Sequence, residues 1–350
     1  MMKTQKLFFE KKKTIVIHEE RLGSPGPGQV LVEAKYSAIS TGSEMVLFRG
    51  DFPEGMTTDM SLNSLAGVMK YPLSYGYALV GKVIEIGKNT DPEWLDKSVF
   101  LFHPHQSYIV VPQTELFLIP PDLNEKNALF LPNMETAIGC VMDAAPLLGE
   151  NVVIFGQGVV GLLTTSVLAK YPLNRLVAVD PLEKRRITAK NIGANAVFDP
   201  GDKNFFDEIH DMFRSKTHLT DQQSGPDLIF EMSGNPEVLN TAISIAGYHS
   251  RIIVGSWYGT KTAHLNLGDR FHRNRLRIIS SQVSTIQPDL RGRWNKERRM
   301  ELVWSWLKQV TPSRLITHYI PFSEAQSAYA LLDEQPEQAL QVVLTYEGRT

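Results

Sequence analysis

Hydrophobic and polar residues alternate in short stretches up to about Pro121, then give way to unbroken apolar runs separated by helical spacing. Thr14–His18 and Gln29–Lys35 alternate on either side of the break GSPGPG, Gly23–Gly28. Tyr77–Ile86, Val99–Phe102 and Tyr108–Val111 read as further strands. Tyr36–Gly50 passes from strand into a loop and a short helix. Asp51–Tyr75 has little periodicity and is expected to be a long surface excursion. Asn124–Leu131 and Thr136–Leu148 are spaced as helices. Strands are then expected at Val152–Phe155, Arg175–Val179, Ala196–Asp199, Leu228–Phe230, Arg251–Val254 and Leu276–Ser281. Between and after them the helices Val160–Ala169, Leu182–Ile192, Phe205–Ser215, Pro236–Ala246 and Lys296–Gln309 are expected. Strands alternating with helices predict a doubly wound parallel sheet and an α/β fold class. The tail from Leu315 reads strand, helix Ser323–Leu332, strand Leu340–Tyr346, and is expected to fold back onto the β-rich start. Two domains follow: 1–120 completed by 310–350, and 121–309.

The junction of strand and helix at Asn151–Leu163, NVVIFGQGVVGLL, carries the clearest chemistry. Gly156, Gly158 and Gly161 have G-x-G-x-x-G spacing. The first glycine permits a tight turn, the second admits a pyrophosphate to the backbone, and the third lets helix pack on strand. Val159 and Val160 open the helix, whose free N–H groups and positive dipole end face the phosphates. Asp180 ends the next strand, nineteen positions after Gly161, close to the ~20 of an acidic residue that bonds ribose hydroxyls. Its charge repels a 2′-phosphate, so NAD is expected over NADP, with Arg185 and Arg186 as the counter-argument. Ser233 and Gly234 end one parallel strand at the edge where such sheets bind ligands, and Gly255, Ser256 and Trp257 end another.

Composition narrows the partners. The 350 residues are 43% hydrophobic and 21% charged with a formal net charge of -2, an ordinary globular balance with no pull toward nucleic acid or an anionic membrane. The single cysteine, Cys140, excludes an intrachain disulfide and a cysteine-rich zinc site. With no charged-then-apolar leader at its start, the chain is expected to be cytoplasmic. The arginines of Asp269–Arg277, with Arg291 and Arg293, could meet an anionic substrate, but a solvated charge run is the plainer expectation.

The loop SAISTGSE (Ser37–Glu44), the segment YPLSYGYALVGKVIEIG (Tyr71–Gly87), LPNMETAIG (Leu131–Gly139) and the later VFDP, EMSGNP and VGSWYG carry a resemblance. The chain resembles the medium-chain dehydrogenase/reductase superfamily, which includes zinc alcohol dehydrogenases and quinone reductases. Its serine–threonine–glycine–serine–glutamate loop and RFHRNRLRIISSQVS (Arg270–Ser284) are similar to a branch that includes bacteriochlorophyllide hydroxyethyl dehydrogenase. The resemblance implies a GroES-like β-rich catalytic domain, a Rossmann domain, a cleft active site and a homodimer formed through the sheet edge near Leu276–Val283. It further implies hydride transfer between a nicotinamide cofactor and a small-molecule secondary alcohol or ketone. A quinone- or enoyl-type double-bond reductase and a non-catalytic dinucleotide-binding protein are the alternatives.

The departures from the family matter as much. At the three positions where zinc-dependent members have catalytic ligands this chain has Thr41, Tyr77 and Pro132, with Ala78 beside the second. None is a Cys, His or carboxylate, so no zinc is expected. Without metal, a side chain must handle the proton. Tyr77 could donate to an oxyanion or simply fill the metal's former space. Ser43 matches the family's relaying hydroxyl or bonds its own loop. His105 could shuttle protons, although a solvated loop histidine is the plainer expectation, and Glu135 could contact a ribose or substrate hydroxyl.

Overall fold

The computed structural model describes residues 2–53, 55–58, 63–65, 67–214 and 223–347. The chain divides into two units, Met1–Pro132 with Leu307–Thr350, and Asn133–Trp306. The start of the chain forms β1 (Met2–Lys11), β2 (Thr14–Leu22), β3 (Gln29–Ala38) and the short helix α1 (Ser43–Arg49). It continues through β4 (Leu79–Ile86), β5 (Ser98–Leu101), β6 (Tyr108–Pro112), β7 (Phe117–Leu118), α2 (Glu125–Ala128) and α3 (Leu131–Ala144). The middle forms β8 (Asn151–Phe155), α4 (Val159–Leu168), β9 (Arg175–Val179), α5 (Glu183–Ile192), β10 (Ala196–Phe198) and α6 (Phe205–Phe213). Then come β11 (Leu228–Glu231), α7 (Val238–Ile245), β12 (Arg251–Val254), β13 (Arg277–Ser280) and α8 (Lys296–Val310). The tail adds β14 (Ile316–Pro321), α9 (Ala325–Glu334) and β15 (Gln341–Thr345). Ser215, expected at the end of α6, lies outside the described residues.

In the first unit β1 and β2 form an antiparallel pair, and the larger sheet runs β14-β15-β3-β4-β5-β7 with β6 also on β3. Its inner face is built from every second residue of these strands: Val30, Val32 and Ala34 of β3 pack with Leu79, Val83, Val99, Leu101, Ile109 and Val111. The tail returns here, β15 pairing antiparallel with β3 through Val343 and Ala38. Asp51–Tyr75 is not the purely superficial excursion expected. Phe52, Leu65, Met69 and Tyr75 are buried, because a loop of this length covers apolar surface better than it extends into water. Residues 54, 59–62 and 66 of that stretch lie outside the described residues.

In the second unit six strands run in the order β10-β9-β8-β11-β12-β13, every pair parallel. This is the predicted doubly wound sheet. β8, β9 and β11 are apolar on both faces because parallel sheets are covered on both sides. Helix α4 is buried nearly all round, and its polar residues bond back along the helix or to the glycine turn. Thr164 donates to the Val160 carbonyl, Ser166 to that of Leu162, and Thr165 to the Gln157 side chain. The strand order reverses between β8 and β11, which is where such sheets open a ligand crevice. Among the described residues no helix is long and apolar enough to cross a membrane.

Candidate functional site

At the end of β8, Gly156 turns with φ +86°, and a Cβ there would stand 2.6 Å from the Met232 backbone. A Cβ on Gly161 would stand 1.9 Å from the Gly156 carbonyl oxygen, so only glycine lets α4 seat against the strands. Gly158 differs: nothing lies within 4 Å of its would-be Cβ. The outer glycines close the turn while the middle one leaves backbone open to an approaching group. The first helical bond, Leu162 N–H to Gly158 O at 2.9 Å, leaves the N–H groups of Val159, Val160 and Gly161 ahead of it. That cradle fits a pyrophosphate.

Asp180 follows β9 and is 2% exposed. Its Oδ2 accepts from the Gln157 N–H at 2.7 Å and its Oδ1 from the Leu182 N–H at 2.9 Å. The carboxylate therefore ties the glycine turn to the adjacent strand, and its remaining lone pairs are what a ribose would engage. Arg185 Nη1 stands 3.8 Å from Oδ2. Arg186 turns away, donating to the Asp180 and Pro181 carbonyls and pairing with Asp199. Gln157, inside the fingerprint, is fully buried and holds Thr165 of α4, a role its spacing did not reveal.

On the other side of β8 the sequence-selected residues meet. The Gly234 N–H donates to Ser256 Oγ at 3.0 Å, and a Cβ on Gly255 would reach 2.6 Å from Met232 Sδ. Beneath them Glu231, missed in the sequence, accepts from the Ser233 N–H at 2.7 Å, the Ser233 hydroxyl and the Tyr258 hydroxyl at 2.6 Å. Trp257 is half-buried in the same stretch.

Glu135, on α3, does not present a free carboxylate. Arg299 of α8, itself 2% exposed, donates to Glu135 Oε1 at 2.6 Å and to the carbonyls of Val283 and Thr285. The residue expected from sequence to contact a ribose or substrate hydroxyl is thus half of an ion pair that holds the 283–285 segment against two helices. Arg270 and Arg291 of the cationic run are likewise engaged, by the Ala246 and Ile286 carbonyls.

The first unit gathers the remaining candidates. The Tyr77 hydroxyl donates to Ser40 Oγ at 2.5 Å and stands 3.3 Å from Ser43 Oγ. Burial lifts its pKa above the usual phenol value and the Glu44 charge adds to the rise, against the pull of the two serine bonds. The hydroxyl is therefore protonated at neutral pH. Glu44 is fully buried at the head of α1. Its Oε1 accepts from the Ser40 N–H at 2.9 Å, and its Oε2 from His105 Nε2 at 2.9 Å and the Tyr329 hydroxyl. His105 is no solvated loop residue. It is fully buried, with Nδ1 at 2.6 Å from Ser37 Oγ, which in turn meets the Tyr346 hydroxyl at 2.8 Å. The 103–107 segment pairs with β1, the Leu7 N–H donating to the His105 carbonyl, and this draws the ring inward. A Cβ at Gly76 would lie 2.8 Å from that ring. His103 is held neutral, burial lowering its pKa to about 4.

With this geometry the chain can be compared with known proteins. The family described as zinc-binding dehydrogenase matches residues 159–298, within the second unit. D-guloside 3-dehydrogenase of Escherichia coli (strain K12) is 26% identical over 334 residues, covering 91% of this chain and 93% of the relative. Among solved structures, RspB of E. coli CFT073, complexed with NADH, superposes with a TM-score of 0.77 at 19% identity over 98% of this chain and 99% of its own. A protein of Sinorhizobium meliloti 1021 assigned to the zinc-binding dehydrogenases and bound to NADP gives 0.76 at 18%, over 99% and 100%.

Proposed function

We propose, from the premise that the chain is an oxidoreductase of the medium-chain dehydrogenase/reductase superfamily, that it moves a hydride between NAD(H) and a secondary alcohol or its ketone without zinc. One observation carries the reading: a phenol hydroxyl, Tyr77, is set between Ser40 and Ser43, at a position where the sequence resemblance implies a zinc ligand in zinc-dependent members of the superfamily. Zinc is suited to nitrogen, thiolate and carboxylate donors. Thr41, Tyr77 and Pro132 offer two hydroxyls and no donor of those kinds, so they do not fit the metal, and no step runs through it.

A nicotinamide dinucleotide does fit. The open face at Gly158 and the N–H groups of α4 receive its pyrophosphate, Asp180 its adenosine ribose, and the loops after β11 and β12 its other end. When bound, this cofactor supplies the hydride. The protein's part is the proton. In ketone reduction Tyr77 gives its proton to the nascent alkoxide and recovers one through Ser43. Its raised pKa suits that direction, because the phenol stays protonated. The names of the relatives, D-guloside 3-dehydrogenase among them, support a hydroxylated substrate.

The test is one preparation, measured for metal content and titrated with NADH and NADPH, then screened with ketones, secondary alcohols and conjugated alkenes. The expected result is no stoichiometric zinc, tighter NADH than NADPH, and carbonyl-dependent oxidation of NADH that a chelator does not change. Stoichiometric zinc whose removal stops turnover would overturn the reading, as would consumption of alkenes alone. Asp180 gives a sharper version. Asp180→Asn keeps the shape and removes the charge that faces the ribose. The ratio of NADPH to NADH affinity should rise at least about tenfold, the scale of a unit charge near a phosphate in a partly solvated site. An unchanged ratio would remove Asp180 as the selector.

A further inference from the structure

We infer that Glu231 is a positioning residue whose buried charge biases the bound cofactor toward its oxidised form; this rests on the proposed nicotinamide site. Glu231 ends β11, next to the point where the sheet order reverses, on the side away from Asp180. If Asp180 takes the adenosine end, the loops that follow β11 and β12 hold the nicotinamide end.

Glu231 bridges those two loops. One carboxylate oxygen accepts from the Ser233 N–H and hydroxyl, the other from the Tyr258 hydroxyl. The residue is fully buried. Among the described residues its partners are three donors, which a carboxylate accepts, and burial together with the Glu231 charge raises the Tyr258 pKa. Among the described residues no cation pairs with it. Lys261 reaches the same stretch, donating to the Gly234 carbonyl at 3.0 Å, but from an exposed position where water and salt screen it. Among the described residues this edge therefore carries a buried carboxylate with no buried cation beside it.

The two states of the cofactor differ at one place: the oxidised nicotinamide ring is cationic and the reduced ring is neutral. A buried anion stabilises the cation and leaves the neutral ring nearly untouched. Glu231 thus sets the difference between the two affinities, apart from its work of fixing the distance between the Ser233 and Tyr258 loops.

Dissociation constants of NAD+, NADH and ADP-ribose, measured by calorimetry on the full chain and its variants, separate the two roles. In Glu231→Gln, NAD+ should bind about tenfold more weakly while NADH and ADP-ribose change less than about twofold, for a charge acting through a low-dielectric surround. A parallel loss of NAD+ and NADH, or no change in their ratio, would overturn the inference. Failure of all three to bind the unaltered protein would instead undo the cofactor reading. If E231Q does not fold, Tyr258→Phe decides. Removing the phenol dipole that faces the carboxylate should move the ratio further toward NAD+, and an unchanged or reversed ratio would overturn the inference.

Discussion

Replacing Tyr77 by phenylalanine should lower kcat for ketone reduction by about 10²–10⁴-fold, the range lost when a positioned acid is removed. The dissociation constant of NADH should stay where it is. Phenylalanine is a discriminating change because it keeps the ring, and with it the edge-on contact to Tyr75 at 6.0 Å between centroids. If the ring merely fills space, Y77F costs almost nothing. If the hydroxyl is the proton donor, nothing else on the ring can replace it. Ser43→Ala should lose less, since it interrupts only the return of the proton and Ser40 still meets the phenol at 2.5 Å. Steady-state rates on the best ketone of the screen, beside an NADH titration, check both. A Y77F enzyme within about threefold of the unaltered rate would end Tyr77's candidacy.

The contrast between the two units explains what the sequence could show. The glycine turn is legible because its constraints are local. A Cβ on Gly161 would meet the Gly156 carbonyl five residues back, so strand, turn and helix can be read from one short window, whereas the Met232 backbone that bars a Cβ at Gly156 comes from the distant end of β11. Asp180 follows from the same unit. The first unit's network is assembled from Ser37, Glu44, His105, Tyr329 and Tyr346, positions with no common spacing. His105 reads as a loop histidine until β1 is known to pair beside it. Arg299 has the same character: within KERRM it looks like a solvated charge, and its partner Glu135 lies 164 positions away. Glu231 falls just past the strand expected at Leu228–Phe230 and shows in the sequence only as the first residue of EMSGNP, since Tyr258 and Ser233 converge on it through the sheet order.

The buried network also predicts the largest stability effect in the first unit. Glu44 and His105 are both fully buried and bonded at 2.9 Å, and the carboxylate has two other donors, the Ser40 N–H and the Tyr329 hydroxyl. Water cannot reach any of these groups, so deleting one leaves the others unsolvated and unpaired. Glu44→Ala and His105→Ala should each destabilise the fold by about 3–5 kcal/mol, as breaking one side of a buried pair does. The double variant should fall well short of the sum, because the second deletion removes a group already left without its partner. Tyr329→Phe takes away one donor of three and should cost about 1–3 kcal/mol. Denaturant unfolding of the four variants beside the unaltered protein decides the matter, and additive losses would mean that the carboxylate and the ring act separately. The same series bears on chemistry, since Glu44 holds the Ser40 N–H and so the loop on which Tyr77's partners sit. Single variants that remain folded should lose kcat alongside stability, while NADH binding, assigned under the proposed function to the other unit's glycine turn, should be unchanged.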